Sequence, residues 1–362
     1  MKKPRTFRLW AQGDAHVGRD LEIGRESLAD ALGQSEQGGA EGGPPFGWDV
    51  AINVGDYSGE HGTPKDLEGE EVVRQFSVLK EHRREQIYSV SGNHDRNGLD
   101  EPEAAWFRKW IDPMGENTAF SCVDRARYPF PVVGEWMRYK FEVGNIVFLM
   151  MSDINEPSQK VGRGKLGGNP GGVVSQETFD WWKEQVDANR DRIVITVHHY
   201  VLKNTTFASD EWGGMKKDAH GNWEREYHRY FEEGTPAGAS FLCWVGGAYD
   251  SGQFEAFLED HPGSVDLWLG GHTHSSPDDT KGGRSCVERA YGGTTFMNVC
   301  ALTRHMVHER TQPHSWLLTF TEGSRSVRAQ CYMHTSEFQP QGWYDAAERT
   351  IELTRPFAFQ DS

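Results

Sequence analysis

Five short clusters of Asp, Asn and His could do chemistry in this sequence: Asp14-x-His16, Gly55-Asp56, Gly92-Asn93-His94-Asp95, His198-His199 and Gly271-His272-Thr273-His274. Carboxylate, amide and imidazole donors are the residue types of a mixed oxygen and nitrogen metal site. No cysteine joins them, so a thiolate-type structural zinc site is not the reading. Asp14 and His16 are two residues apart, as are His272 and His274. On extended chain at a strand end, residues i and i+2 point the same way, so each pair is expected to grip an ion together. Asp56 follows a glycine and has two carboxylate oxygens, enough to bridge two ions. Asn93 offers a neutral amide oxygen. Asp14, His16, Asp56, Asn93, His198, His272 and His274 make seven ligands, or four per ion with Asp56 shared, which leaves room for water as a catalytic site needs. Each cluster alone also reads as a turn, a cap or a core histidine. Their joint occurrence in this order does not.

The elements around them explain how they could meet. Phe7 to Ala11, Trp48 to Val54, Ile87 to Val90, Ile193 to Val197 and Val265 to Leu269 read as strands, and one cluster follows each. In open α/β sheets ligands bind at this carboxyl edge. Helical patterns lie at Leu21 to Leu32, Asp66 to Arg84, Ala104 to Ile111, and from a Ser175 cap to about Asn189. Arg138 to Val143 and Asn145 to Ser152 read as a hairpin around Gly144. Thr294 to Ala301, Ser315 to Thr321 and Ser326 to His334 make the end of the chain β-rich. This predicts an α/β protein whose first half is parallel, with a second sheet packed on the first. No linker demands two units, so 1–362 is read as one domain, with the motifs in 7–274 and second-sheet strands in 275–362.

The chain has 362 residues and a formal net charge of −16. Length and a 36% hydrophobic fraction allow a sizeable core. The acidic balance argues against a nucleic-acid coat and against anionic membrane surfaces. An anionic substrate stays compatible, because a metal supplies local positive charge. No apolar run is long enough to span a membrane. Five cysteines, odd in number and never in a CxxC pair, fit free thiols in a reducing compartment, with the cytoplasm as the default.

The order Asp-x-His, Gly-Asp, Gly-Asn-His-Asp, His, Gly-His-x-His resembles the calcineurin-like metallophosphoesterase superfamily, from about Phe7 to His274. That resemblance implies a four-layer α/β/β/α sandwich with two packed mixed sheets and a dinuclear centre. It implies one ion held by Asp14, His16, Asp56 and His274, and a second by Asp56, Asn93, His198 and His272. The ions would be divalent or mixed-valence; Mn, Fe and Zn all suit these donors. A metal-bound hydroxide would attack phosphorus, with His94 beside the leaving group as acid or hydrogen-bond donor. Asp95 is read as a carboxylate partner to the site, or as a plain turn residue.

Within the superfamily, Gly-Asn-His-Asp and the His pair are similar to the glycerophosphodiesterase and class III cyclic-nucleotide phosphodiesterase branch. Tyr200 stands where many of those carry proline. Gly55-Asp56-Tyr57-Ser58-Gly59-Glu60 lacks the arginine of the protein serine/threonine phosphatases. The function this implies is hydrolysis of a small soluble phosphodiester. The alternatives are a phosphomonoesterase, a nuclease, or a non-catalytic binding module. Arg96, Arg163 and His199 are candidate substrate contacts. Gly162-Arg163-Gly164-Lys165, Trp212 to Tyr230 and Trp244 to Tyr249 are candidate specificity loops.

Overall fold

The computed structural model describes residues 4–60, 62–96, 105–155, 172–209, 243–245, 251–280, 283–304 and 312–360. Two apolar, parallel strand sets seed two sheets. In the first, β1 (Thr6–Gln12), β2 (Val50–Asn53) and β3 (Ile87–Ser89) run parallel. In the second, β4 (Val133–Glu135), β5 (Arg138–Val143) and β6 (Ile146–Met151) form an antiparallel meander turning at Gly144. β7 (Val173–Val174) stands apart and pairs with β9 (Trp244–Val245). β8 (Ile193–His198), β10 (Leu267–Gly270) and β12 (Thr295–Asn298) extend the second sheet parallel to β6, and β11 (Val287–Arg289) closes its edge.

The remaining strands correct one expectation. β13 (His314–Thr321) and β14 (Ser326–Met333) were expected in the second sheet, but they complete the first. β13 pairs antiparallel with β1 from Thr6↔Thr321 to Ala11↔Trp316, and β14 carries β15 (Gly342–Trp343) and β16 (Arg349–Glu352). β2 covers only one side of β1, and the other edge would leave buried N–H and C=O groups unpaired without β13.

Helices α1 (Val17–Glu22), α2 (Ser27–Gln37), α3 (Asp66–Phe76), α4 (Ala105–Trp110) and α5 (Thr118–Ser121) precede the second sheet in the chain. Leu28 and Leu32 of α2, with Val72 and Phe76 of α3, pack on the first sheet. α6 (Gln176–Ala188) and α7 (Gly252–Asp260) place Phe179, Trp182 and Phe254 on the outer face of the second. The expected helix at 21–32 is two helices, because the chain turns back where the Arg25 N–H and guanidinium both reach Asp20. α3 stops well short of Arg84, since Glu36 accepts the N–H groups of Lys80, Glu81 and His82 and holds them in a loop. Ser175 does cap α6, accepting from Thr178 N–H. The layers are therefore helices, sheet, sheet, helices.

The chain's end fastens the sheets at the edge opposite the motifs. Phe357 is fully buried against Phe7 and Phe320 of the first sheet. Asp266 accepts from Thr354 on one carboxylate oxygen and from Val194 N–H on the other. Among the described residues, no helix is long and apolar enough to cross a membrane.

Two outcomes follow from this packing. Phe357→Ala should lower unfolding free energy by about 3–5 kcal/mol in urea melts, because the buried ring leaves a cavity. His314 and His334 are buried on opposite faces of the sheet, and burial lowers them to about 4 and about 3. Unfolded histidine binds a proton near 6.5 while these stay neutral, so their destabilisation is absent above pH 6.5 and grows as pH falls toward 4. The urea midpoint should decline across that window, and less steeply in His334→Gln.

Candidate metal centre

The carboxyl ends of β1, β2 and β3 meet those of β8 and β10 at one edge between the sheets. Backbone contacts lock them together. His272 N–H donates to Asp14 Oδ1 at 3.0 Å, Gly271 N–H to the His199 carbonyl at 2.8 Å, and His199 Nδ1 to the Val54 carbonyl at 2.8 Å. The approach is close enough to require glycine twice. A Cβ on Gly271 would lie 2.4 Å from Asp14 Oδ2, and one on Gly92 would lie 2.0 Å from Asp56 Oδ1.

Asp14, His16, Asp56 and His272 have φ of 54°, 42°, 58° and 67°. Non-glycine residues rarely adopt this left-handed region, and when they do the strain gathers at functional sites. This replaces the extended geometry expected for Asp14 and His16. The N–H groups of Asp14, His16 and Val17 bond to the carbonyls of Gly55, Asp56 and Tyr57, so the two loops curl together past the strand ends.

Three groups of donors result: Asp14, His16 and His274; His16, Asp56 and His94; and Asp56, His199 and His272. Within each, the donor atoms lie within 4.8 Å of one another. His16 Nε2 is 3.2 Å from His274 Nε2, which is 3.2 Å from Asp14 Oδ1. His199 Nε2 is 3.2 Å from Asp56 Oδ2 and 3.0 Å from Asn93 Oδ1. Because the Val54 carbonyl only accepts, His199 carries a proton on Nδ1 and turns the Nε2 lone pair toward two oxygens. Converging lone pairs in a buried site need a cation or a proton between them. The titration of these side chains says the same. Burial disfavours charged His199, but the Asp56 carboxylate outweighs it and pushes the imidazole up to about 9. Burial also opposes charge on Asp56, yet His199 and His94 hold it well below the usual range. Burial lowers His16 to about 4. Asp14 Oδ2, His16 Nδ1 and His274 Nδ1 are buried without a partner, as is His198 Nε2. The donor set therefore fits two cations.

Residues 7–276 match the calcineurin-like phosphoesterase family. The chain belongs to that family. Its two mixed sheets between helices are the family's sandwich. Among solved structures, the chain is similar to GAP50, the anchor in the inner membrane complex of Plasmodium, at 8% identity over 97% of this chain and 90% of that one, with a TM-score of 0.45. It is also similar to Vacuolar Protein Sorting 29 from Cryptosporidium parvum, at 11% identity over 96% and 98%, TM-score 0.33. Vps29 of Entamoeba histolytica gives 11% over the same shares, TM-score 0.31. The search of curated proteins found no match.

The histidine pair is placed differently from the sequence expectation. His199, not His198, reaches Asp56 and Asn93. On β8, Ile193, Ile195 and Val197 face the space between the sheets, and Val194 and Thr196 face α6. Strand alternation then sends His198 to the helix side and His199 to the site. The alternation was readable in the sequence, but with both faces of β8 buried, which face looks into the gap was not. His198 instead meets Tyr200, and burial lowers it to about 4.

Asp95 is fully buried and accepts the N–H groups of Asp56, Ser58 and Gly92 at 2.8, 2.9 and 2.8 Å. Burial, with Asp56 adjacent, raises it to about 7. It shapes the Asp56 loop rather than facing the donors. The Arg96 guanidinium is directed to the Ile154 carbonyl and lies over Trp136. Arg163 and the rest of 162–171, the 212–230 segment, and 246–249 lie outside the described residues.

The placement of the pair makes a direct prediction. His199→Ala should lose about one ion per chain by elemental analysis, while His198→Ala keeps both. The reverse pattern would restore the sequence assignment.

Proposed function

We propose that the chain is a dinuclear metal-dependent phosphodiesterase acting on a small soluble diester, with 1–362 as one catalytic unit. The observation that supports this is the convergence of donor atoms from five strand ends around Asp56. One ion is assigned to Asp14, His16, Asp56 and His274. The other is assigned to Asp56, Asn93, His199 and His272. Bound there, two such ions (Mn, Fe or Zn) offset phosphoryl charge and lower the pKa of water.

The protein's own groups do the rest. His94 N–H donates to Asp56 Oδ1 at 2.8 Å, and His94 Nδ1 donates to the Glu60 carbonyl at 2.6 Å. A carbonyl cannot donate, so Nδ1 carries one hydrogen, and Nε2 of the doubly protonated ring is the nitrogen that gives the leaving oxygen its proton. The ring stands edge-on to His16, with centroids 4.8 Å apart, which places it beside the donor cluster. Asp95 acts through the loop it holds.

Diester is favoured over monoester on charge. A monoester brings one more negative charge and calls for a fixed cation, whereas Arg96, the nearest motif arginine, is directed at Ile154 and Trp136. A net charge of −16 also disfavours nucleic acid as the substrate. Five free cysteines suit a reducing compartment such as the cytoplasm.

The test is hydrolysis of a bis-aryl phosphate diester and the matching monoester by Mn-loaded protein. The diester should lead in kcat/KM, and Asp56→Ala should lower kcat by on the order of 10³-fold. A monoester lead would overturn the diesterase reading. Turnover of neither, with two ions bound, would point to a binding module.

A further inference from the structure

Between the strand ends, one carboxylate outside the motifs touches two of the loops that carry them. Glu68 lies in the first turn of α3 and is 8% exposed. Its Oε1 accepts Gly59 N–H at 2.7 Å and Gly18 N–H at 2.9 Å, and its Oε2 accepts the Ser58 hydroxyl at 2.7 Å. Gly18 lies in the first turn of α1, two residues after His16, and Ser58 and Gly59 follow Asp56 by two and three. Arg19 returns the contact, donating from Nε to the Gly59 carbonyl at 3.2 Å. The Ser58 hydroxyl oxygen also accepts Glu60 N–H at 3.1 Å. The 58–60 turn is thus gripped on both sides, and it ends on the carbonyl that receives His94 Nδ1.

We infer that Glu68 is a positioning residue: by holding the 58–60 turn against α1, it fixes the Glu60 carbonyl and through it the tautomer and direction of the His94 ring. The chain of contacts is short, buried at Ser58 and Gly59 and partly buried at Gly18 and Glu60. Turns without such an anchor sample several carbonyl orientations, and a histidine aimed by a moving acceptor loses its fixed tautomer. Three donors meet Glu68 and, among the described residues, no cation does, so the role needs acceptor oxygens in place rather than a charge partner. Glutamine keeps an acceptor for the two N–H groups and can donate to Ser58, whereas alanine removes all three contacts.

This deepens the proposed reaction and rests on His94 serving the leaving group, so the test carries one readout independent of turnover. In zinc-loaded, 15N-histidine-labelled protein, the His94 Nδ1–H signal is identified by its absence in His94→Asn. Glu68→Ala should broaden or shift that signal while elemental analysis still finds two ions, and Glu68→Gln should restore it. With diesters, Glu68→Ala should lower kcat about 10- to 100-fold for an alkyl leaving group that needs a proton, and far less for a nitroaryl one. Glu68→Asp, which withdraws the carboxylate but keeps it, substitutes if the alanine variant does not fold, with the same pattern expected. An unmoved His94 signal, or equal losses for both leaving groups, would overturn the assignment and leave the diesterase reading standing. Wild-type protein inactive on both esters would remove that reading, while the His94 signal still decides whether Glu68 sets the ring.

Discussion

Electron-pair donors crowded into a buried space repel one another, and the arrangement of this protein answers to that constraint. Asp14, His16, Asp56, Asn93, His199, His272 and His274 bring their donor atoms to one sheet edge. Nothing in a low-dielectric interior tolerates such convergence without positive charge. The conflict shows in His199, pushed up to about 9 by the Asp56 carboxylate despite complete burial. Four donors sit in left-handed backbone, and the close approaches at Gly92 and Gly271 leave no room for a side chain. Strain of that kind persists only where the surroundings enforce it.

The surroundings are the two sheets, which supply three and two of the converging strand ends. Both must be held in register for the loops to meet. At the far edge this falls to the C-terminal segment, through Phe357 and Thr354. At the site edge it falls to backbone bonds between loops, such as His272 N–H to Asp14. β13 lies along β1, and just beyond it Leu302 and Thr303 donate to the carbonyls of Gly13 and Asp14. The first motif is therefore supported by chain that follows it by nearly 300 residues.

Around the donors is a ring of carboxylates that hold backbone rather than ligand. Asp95 collects three N–H groups of the Asp56 and Gly92 loops. Glu68 collects two more and a hydroxyl. Each uses acceptor oxygens to shape a loop that helix or sheet pairing cannot, since glycine-rich turns have few preferences of their own.

The local features were legible in the sequence. The five clusters, the strands before them, the hairpin at Gly144 and the Ser175 cap all depend on residue types and short spacings, which act within a few residues. The donor set pointed to a metal site for the same reason. What the sequence left open depends on partners distant in the chain. β13 and β14 have the apolar alternation of any sheet strand, and only the open edge of β1 decided where they went. Asp14 and His16 were expected on extended chain, but hydrogen bonds to the Gly55 to Tyr57 loop curled them. The choice between His198 and His199 turned on which face of β8 looks into the gap between the sheets, and Arg96 was drawn off by the Ile154 carbonyl. Sequence determined which chemistry this protein carries; tertiary structure decided which atoms meet, because lone pairs, open strand edges and buried carbonyls are satisfied only in three dimensions.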